Sequence, residues 1–108
     1  MPIKKIVDEA DFAAHKNSER PVLFQFSAEW CGPCQSIEGN MEDFEKQYGD
    51  KIDFRYMDND VFEDTDVWMT EEIANMPTFK VFQNGECKHV MFGTKLDKIE
   101  DMLKKFAA

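Results

Sequence analysis

The sequence predicts an α/β domain, and three observations carry that prediction. Short strand-like apolar runs alternate with helical apolar periods along the chain. Residues 22–26, VLFQF, form a nearly unbroken apolar run, as expected of a central strand covered on both faces, with Gln25 its only polar member. Nearer the C-terminus, two strand-like runs flank Gln83-Asn84-Gly85-Glu86, where Asn-Gly can supply the positive φ angles of a tight hairpin turn.

The elements follow in order. Residues 3–7 read as a short edge strand. Asp8 is placed to N-cap a helix carrying Phe12 and Ala13, which should end around residues 17–20, before Pro21. From Cys34, the apolar residues Ile37, Met41, Phe44 and Tyr48 recur at helical spacing up to Gly49, a natural C-cap residue. That pattern predicts one long helix from the CxxC to Tyr48. Residues 52–57 read as the next strand, and residues 58–75 are acidic and mixed, with Val67, Trp68 and Ile73 as helix anchors. Residues 78–82 and 87–92 make the antiparallel pair. Thr94 can cap a last helix whose Leu96, Ile99, Leu103 and Phe106 form one apolar stripe. No repeat, linker or low-complexity tract interrupts this order, so residues 1–108 are assigned to a single domain.

Composition narrows the partners. A chain of 108 residues can bury a core without disulfides or metal to hold it, and a 43% apolar share suits an ordinary soluble globule. The 22 acidic against 13 basic residues leave a formal charge of -9, a surface that repels phosphate backbones and anionic headgroups. Neither nucleic acid nor a membrane is an expected partner. The first twenty residues lack the apolar stretch of a secretory signal, and no span approaches the roughly 18 apolar residues of a membrane helix. A cytoplasmic location is therefore expected, and the odd number of cysteines, three, argues against a secreted disulfide framework.

The chemistry is concentrated in residues 26–36, FSAEWCGPCQS. A strand followed by a helix starting near Cys31 places that thiol beside backbone N–H groups without intrahelical partners, at the positive end of the helix dipole. Such a site favours thiolate, whereas an ordinary cysteine with a pKa of about 8.5 is mostly protonated at neutral pH. Helix geometry brings side chains at i and i+3 to roughly 5–6 Å, so a modest adjustment lets Cys31 and Cys34 form a disulfide. Pro33 sits where its missing N–H is harmless, and Gly32 leaves the backbone open to an approaching partner. The set suits reversible thiol–disulfide exchange.

Trp30-Cys-Gly-Pro-Cys34 resembles the active site of the thioredoxin family, and residues 26–29, FSAE, resemble its eukaryotic-type lead-in. Met76-Pro77-Thr78-Phe79, Asn84-Gly85-Glu86 and Gly93 resemble later family landmarks, so the resemblance covers essentially the whole chain. Thioredoxins are themselves the example from which the lowered thiol pKa of such motifs is known. The resemblance implies a thioredoxin fold with a central mixed sheet flanked by helices, Cys31 as nucleophile and Cys34 as the more buried resolving thiol. It implies a cis Pro77 packed against the pair, with Met76 backbone groups free to meet a substrate strand, and Trp30, Met76, Phe92 and Gly93 as an apolar rim. It also implies no bound cofactor beyond the redox-active disulfide. The implied activity is protein-disulfide reduction in cell redox homeostasis, with electrons from an NADPH-dependent flavin reductase.

Two departures stand out. The family usually carries a buried aspartate where this chain has Gln25, and an amide cannot exchange a proton with the resolving thiol. Gly39 replaces the usual kinking proline, permitting a bend without requiring it. The segment 58–76 is also slightly longer than in familiar members, and its acidic face bears on which reductase or substrates dock.

Other chemistries fit these residues less well. Zinc could draw on Cys31, Cys34, Cys87 and His89, but the CxxC opens a predicted helix in a chain with ample core. Haem attachment fails because residue 35 is Gln. Asp58, Asp60 and Asp64 suggest calcium, yet Phe62 and Glu63 stand where an EF-hand needs an oxygen ligand and glycine, so the group reads as a solvated acidic face. His15 and His89 read as surface or rim residues, Trp68, Met41 and Met102 as core, and Cys87 as a small strand residue or a regulatory or dimer-forming thiol. A different class remains open: a thioredoxin-fold docking or chaperone module with a weakly active dithiol.

Overall fold

The structure, a computed structural model, describes residues 3–108. Asp8 accepts a hydrogen bond from the Asp11 N–H at 2.8 Å and starts helix α1, Glu9–Lys16, which buries Phe12 and leaves Ala13 exposed. Strand β1, Val22–Ser27, leads through a short turn into helices α2, Gly32–Ser36, and α3, Glu38–Tyr48. Strand β2 is Asp53–Asp58; the acidic stretch folds as two one-turn helices, α4, Asn59–Phe62, and α5, Val67–Thr70. The hairpin of β3, Thr78–Gln83, and β4, Glu86–Phe92, precedes helix α6, Leu96–Ala107.

The four strands lie in the order β2-β1-β3-β4, with β1 parallel to β2 and antiparallel to β3, making a mixed sheet. Every residue of β1 is buried, and strand periodicity divides its side chains between two cores. Val22, Phe24 and Phe26 join Phe12, Met57, Phe62 and Phe82 on one face. Leu23 joins Met41, Phe54, Phe79, Ile99 and Leu103 on the other, under α3 and α6. Gln25 shares the second face, and Tyr56 on β2 is its neighbour in register. Trp68 is core as expected, edge-on to Phe26 at 5.4 Å and stacked on Phe62 at 6.3 Å. The hairpin turn takes the expected form, with φ of 54° at Asn84 and 82° at Gly85.

Three elements differ from expectation. Residues 3–7 contribute one parallel bridge, Lys5 to Tyr56, rather than an edge strand. Ile6 donates to the Tyr56 carbonyl at 2.9 Å, but the Val7 N–H turns away to the Asp11 carboxylate at 3.0 Å and serves the start of α1 instead. The helix expected from the CxxC to Tyr48 breaks at Ile37, where φ is -109° and ψ 3°. In a continuous helix the Pro33 carbonyl would accept the Ile37 N–H; here it accepts the Ser36 hydroxyl at 2.7 Å, and the Ile37 N–H bonds the Cys34 carbonyl at 3.4 Å instead. The break thus falls two residues before Gly39. Thr94 does not cap α6: Lys95 holds that position without a side-chain cap bond.

Segment 58–76 is tied down by charge. The Glu71 carboxylate, on a residue only 8% exposed, meets Lys16 at 3.2 Å and Lys80 at 3.3 Å, and Lys80 also donates to the Glu71 carbonyl. Removing the carboxylate leaves two half-buried ammonium groups without their counter-charge, the situation in which ion pairs matter most. We expect Glu71→Gln to destabilise the fold by about 2 kcal/mol, lowering Tm by roughly 10 °C. Urea denaturation checks this; a loss under about 0.5 kcal/mol, the scale of an exposed pair, would contradict it.

Candidate active site

The centre of β1 delivers its chain end to the site. After Ser27 the buried Ala28 accepts the Cys31 N–H at 3.2 Å, closing a tight turn that sets Cys31 at the N-cap of α2 in an extended conformation. Its sulfur accepts the Cys34 N–H at 3.3 Å, the bond that a serine or aspartate oxygen makes at other helix starts. Pro33 lies in the first turn, where no N–H is missed. Because α2 has only five residues, the sulfur is served by this local N–H rather than by the dipole of one long helix.

Cys31 and Cys34 are joined as a disulfide with Cα atoms 5.3 Å apart. Both residues are buried, but Cys31 keeps 8% of its surface exposed against 1% for Cys34, which makes it the more accessible of the pair. The Met76–Pro77 bond is cis, Met76 packs on the pair, and its carbonyl oxygen is 3.9 Å from the Cys31 sulfur. The Gly93 N–H donates to the Pro77 carbonyl at 3.0 Å, with Gly93 at φ 102°, and this fixes the exposed Phe92 beside the same loop. Opposite, Trp30 is 63% exposed and its indole N–H donates to the Asp60 carboxylate at 2.9 Å. The structure thus brings together Trp30, Cys31, Cys34, Met76, Pro77, Phe92 and Gly93.

Gln25 is buried, as expected of the central strand. Its amide N–H donates to the Ser27 hydroxyl at 3.2 Å, while its oxygen has no hydrogen-bond partner among the described residues. The Tyr56 hydroxyl beside it is likewise unpartnered, and burial, then the Asp58 and Glu38 charges, push its pKa up to about 12. Both residues border a cavity of about 320 Å³ that Glu38, Met41 and Glu42 of α3 also line, but the two oxygens themselves are shut off from it.

The acidic run needs correction. Asp60 anchors Trp30, and Asp58, 6% exposed, caps α4 through the Asp60 N–H at 3.0 Å and meets Lys5 at 3.6 Å. Sequence reading missed both; the available signal was the Asp-Asn-Asp spacing, which suits a helix N-cap directly after a strand. Cys87 pairs with Phe82 at the turn end of the hairpin, whereas Thr78, next to the site, is at the other end, so the sheet separates Cys87 and His89 from the CxxC. Burial raises the Cys87 thiol pKa.

The thioredoxin family model matches residues 3–105. Thioredoxin 1 of Plasmodium falciparum is 32% identical over 106 residues, spanning 98% of this chain and 99% of that one, and chicken (Gallus gallus) thioredoxin is 31% identical over 104 residues, spanning 94% and 96%. Among solved structures, Malassezia sympodialis thioredoxin superimposes with TM-score 0.92 at 28% identity, covering 100% of this chain and 96% of that one. Plasmodium falciparum thioredoxin does so with TM-score 0.88 at 32% identity, covering 96% and 99%. Thioredoxins are thiol–disulfide oxidoreductases acting on protein disulfides, with a redox centre that is part of the protein. The chain therefore belongs to the thioredoxin family, a single α/β domain carrying its redox centre in its own Cys31–Cys34 pair.

Proposed function

We propose that this chain reduces protein disulfides in the cytoplasm, in cell redox homeostasis, with Cys31 as nucleophile and Cys34 as resolving thiol. The carrying observation is the contrast between the two cysteines: Cys31 keeps 8% of its surface exposed and its sulfur accepts an N–H bond, whereas Cys34 is 1% exposed. The Cys31 thiolate attacks one substrate sulfur, forming a mixed disulfide and releasing the other substrate sulfur as thiolate. Cys34 then loses its proton and attacks the Cys31 sulfur, which releases the second substrate thiolate and forms the Cys31–Cys34 disulfide. Two electrons pass to the substrate, whose two thiolates take up protons. An NADPH-dependent flavin reductase returns two electrons to the pair.

Trp30, Gly32, Pro33, Met76, Pro77, Phe92 and Gly93 form the surface on which the substrate strand lies. Gly32 suits close approach, since even an added Cβ there would meet nothing within 4 Å. Met76 presents its backbone toward the Cys31 sulfur, and the exposed rings of Trp30 and Phe92 supply apolar contact at either side. The break before α3 and the acidic segment 58–76 shape the edge met by the reductase.

Replacing Cys31 by Ser should abolish turnover of a protein disulfide, while Cys34→Ser should accumulate a mixed disulfide visible by intact mass. Retained turnover in Cys31→Ser would overturn the reading. A docking or chaperone module with a weakly active dithiol is the second reading, favoured by the untitratable Gln25; it would keep its partner in Cys31→Ser while the wild type turned over poorly.

Gln25 stands where a carboxyl would take the Cys34 proton, so resolution should be slower here than in a carboxylate-bearing variant. In stopped-flow measurements between about pH 6 and 9, we expect Gln25→Asp to speed resolution and change its pH profile. Equal rates across that range would show that the position carries no proton-transfer role.

A further inference from the structure

We infer that Lys80 is a positioning residue for disulfide exchange, acting through the loop 71–77 that brings Met76 to the Cys31 sulfur; this rests on the reductase function proposed above. The Lys80 side chain, on β3, is only 11% exposed, a rare depth for an ammonium. It donates to the Glu71 carbonyl and meets the Glu71 carboxylate at 3.3 Å, so both contacts go to one residue. That residue is the C-cap of α5, where a helix leaves its last carbonyls without intrahelical donors. A lysine reaching this carbonyl from another element fixes where the chain leaves the helix.

The exit itself is strained. The Glu72 N–H bonds the Met69 carbonyl at 3.0 Å and the Ile73 N–H bonds the Trp68 carbonyl at 2.9 Å, the paired bonds of a Schellman ending. Such an ending usually places glycine in the left-handed region, yet here Glu72 holds it with φ of 58°. A residue other than glycine stays there only where its surroundings enforce it, and the Lys80 bond to the preceding carbonyl is one such restraint. At the far end of the loop the Thr78 hydroxyl donates to the Asn75 carbonyl at 2.6 Å, and the Gly93 N–H to the Pro77 carbonyl at 3.0 Å. Thr78 and Lys80, two residues apart, thus project from one face of β3 and hold the two ends of the loop.

Packing does not hold the loop on the side of the hairpin. A cavity of about 210 Å³ lies there, lined by Ala74, Asn75, Val90 and Phe92 together with Lys80, and Ala74 and Asn75 are exposed. The placement of the Met76 carbonyl beside the Cys31 sulfur therefore depends on the polar anchors at the loop ends. Lys16 supplies the comparison. From α1 it meets the same Glu71 carboxylate at 3.2 Å and packs over the Phe12 and Phe82 rings, but its ammonium makes no bond to the loop backbone among the described residues. Each lysine gives Glu71 one ion pair; only Lys80 also holds a main-chain carbonyl.

The test compares Lys80→Met with Lys16→Met, each of which removes one ion pair to Glu71 and keeps an apolar stem. Both are assayed at a temperature where circular dichroism shows them folded, with insulin as the protein disulfide and dithiobis(nitrobenzoate) as a small one. We expect Lys80→Met to raise KM for insulin at least about fivefold, with kcat and reduction of the small disulfide within about twofold, while Lys16→Met moves none of these. Amide hydrogen exchange at Glu72 and Ile73 should quicken at least about tenfold in Lys80→Met relative to Lys16→Met. If Lys80→Met does not fold, Lys80→Gln takes its place and the same outcomes decide. Equal KM values or equal exchange rates in the two variants would reduce Lys80 to a stability role and overturn the inference, as would an equal loss on the small disulfide. A wild type that reduced neither disulfide would sink the reductase function and the positioning role with it; failure of the inference alone shows as an active wild type with two indistinguishable variants.

Discussion

The bond from the Cys34 N–H to the Cys31 sulfur is the constraint around which this molecule is arranged, and it exists because the chain leaving β1 turns directly into the first turn of α2. A strand cannot present a free N–H three residues ahead of a side chain, and a helix interior uses its N–H groups internally. Only the first turn of a helix offers one. The five-residue α2, ended at Ile37 where the N–H turns to the Cys34 carbonyl, supplies that turn and then lets α3 set out separately across the sheet.

The rest of the fold makes this junction rigid and leaves one face of it open. β1 is buried along its whole length between two apolar layers, so its C-terminal end cannot shift without disturbing both. The two walls beside the sulfur are held by unrelated means. On one side the Gly93–Pro77 backbone bond locks Phe92 to the cis-proline loop; on the other, Asp60 holds the Trp30 indole. The acidic stretch after β2, whose charge suggests solvation alone, thus contributes a helix cap, a tether for Trp30 and a half-buried charge cluster around Glu71.

Much of this was legible in the residues. A nearly unbroken apolar run marked β1 as central, Asn84-Gly85 marked the hairpin, and Asp8 marked the start of α1, because each signal is local and has one common structural outcome. The CxxC and the later motifs identified the site. The missed features depend on competition or on partners distant in sequence. Nothing in the apolar spacing of Ile37, Met41 and Phe44 reveals that Ser36 will take the Pro33 carbonyl. The strand at residues 3–7 was lost to the Asp11 carboxylate, and Thr94 to a helix that starts one residue later. Gln25 was visible as a polar intruder in a buried strand, but its pairing with Tyr56 over a cavity required the register of β1 on β2.

The central claim is that the local N–H bond makes Cys31 the reactive sulfur. Cys87 is an internal control in the same chain, an exposed residue whose thiol pKa is raised by burial of the sulfur and which therefore carries little thiolate at neutral pH. The decisive measurement is the rate of iodoacetamide alkylation at each cysteine of the reduced protein at neutral pH, read by peptide mass. We expect Cys31 to react at least about tenfold faster than Cys87, with Cys34 slowest. Equal rates at Cys31 and Cys87 would contradict the account at its root.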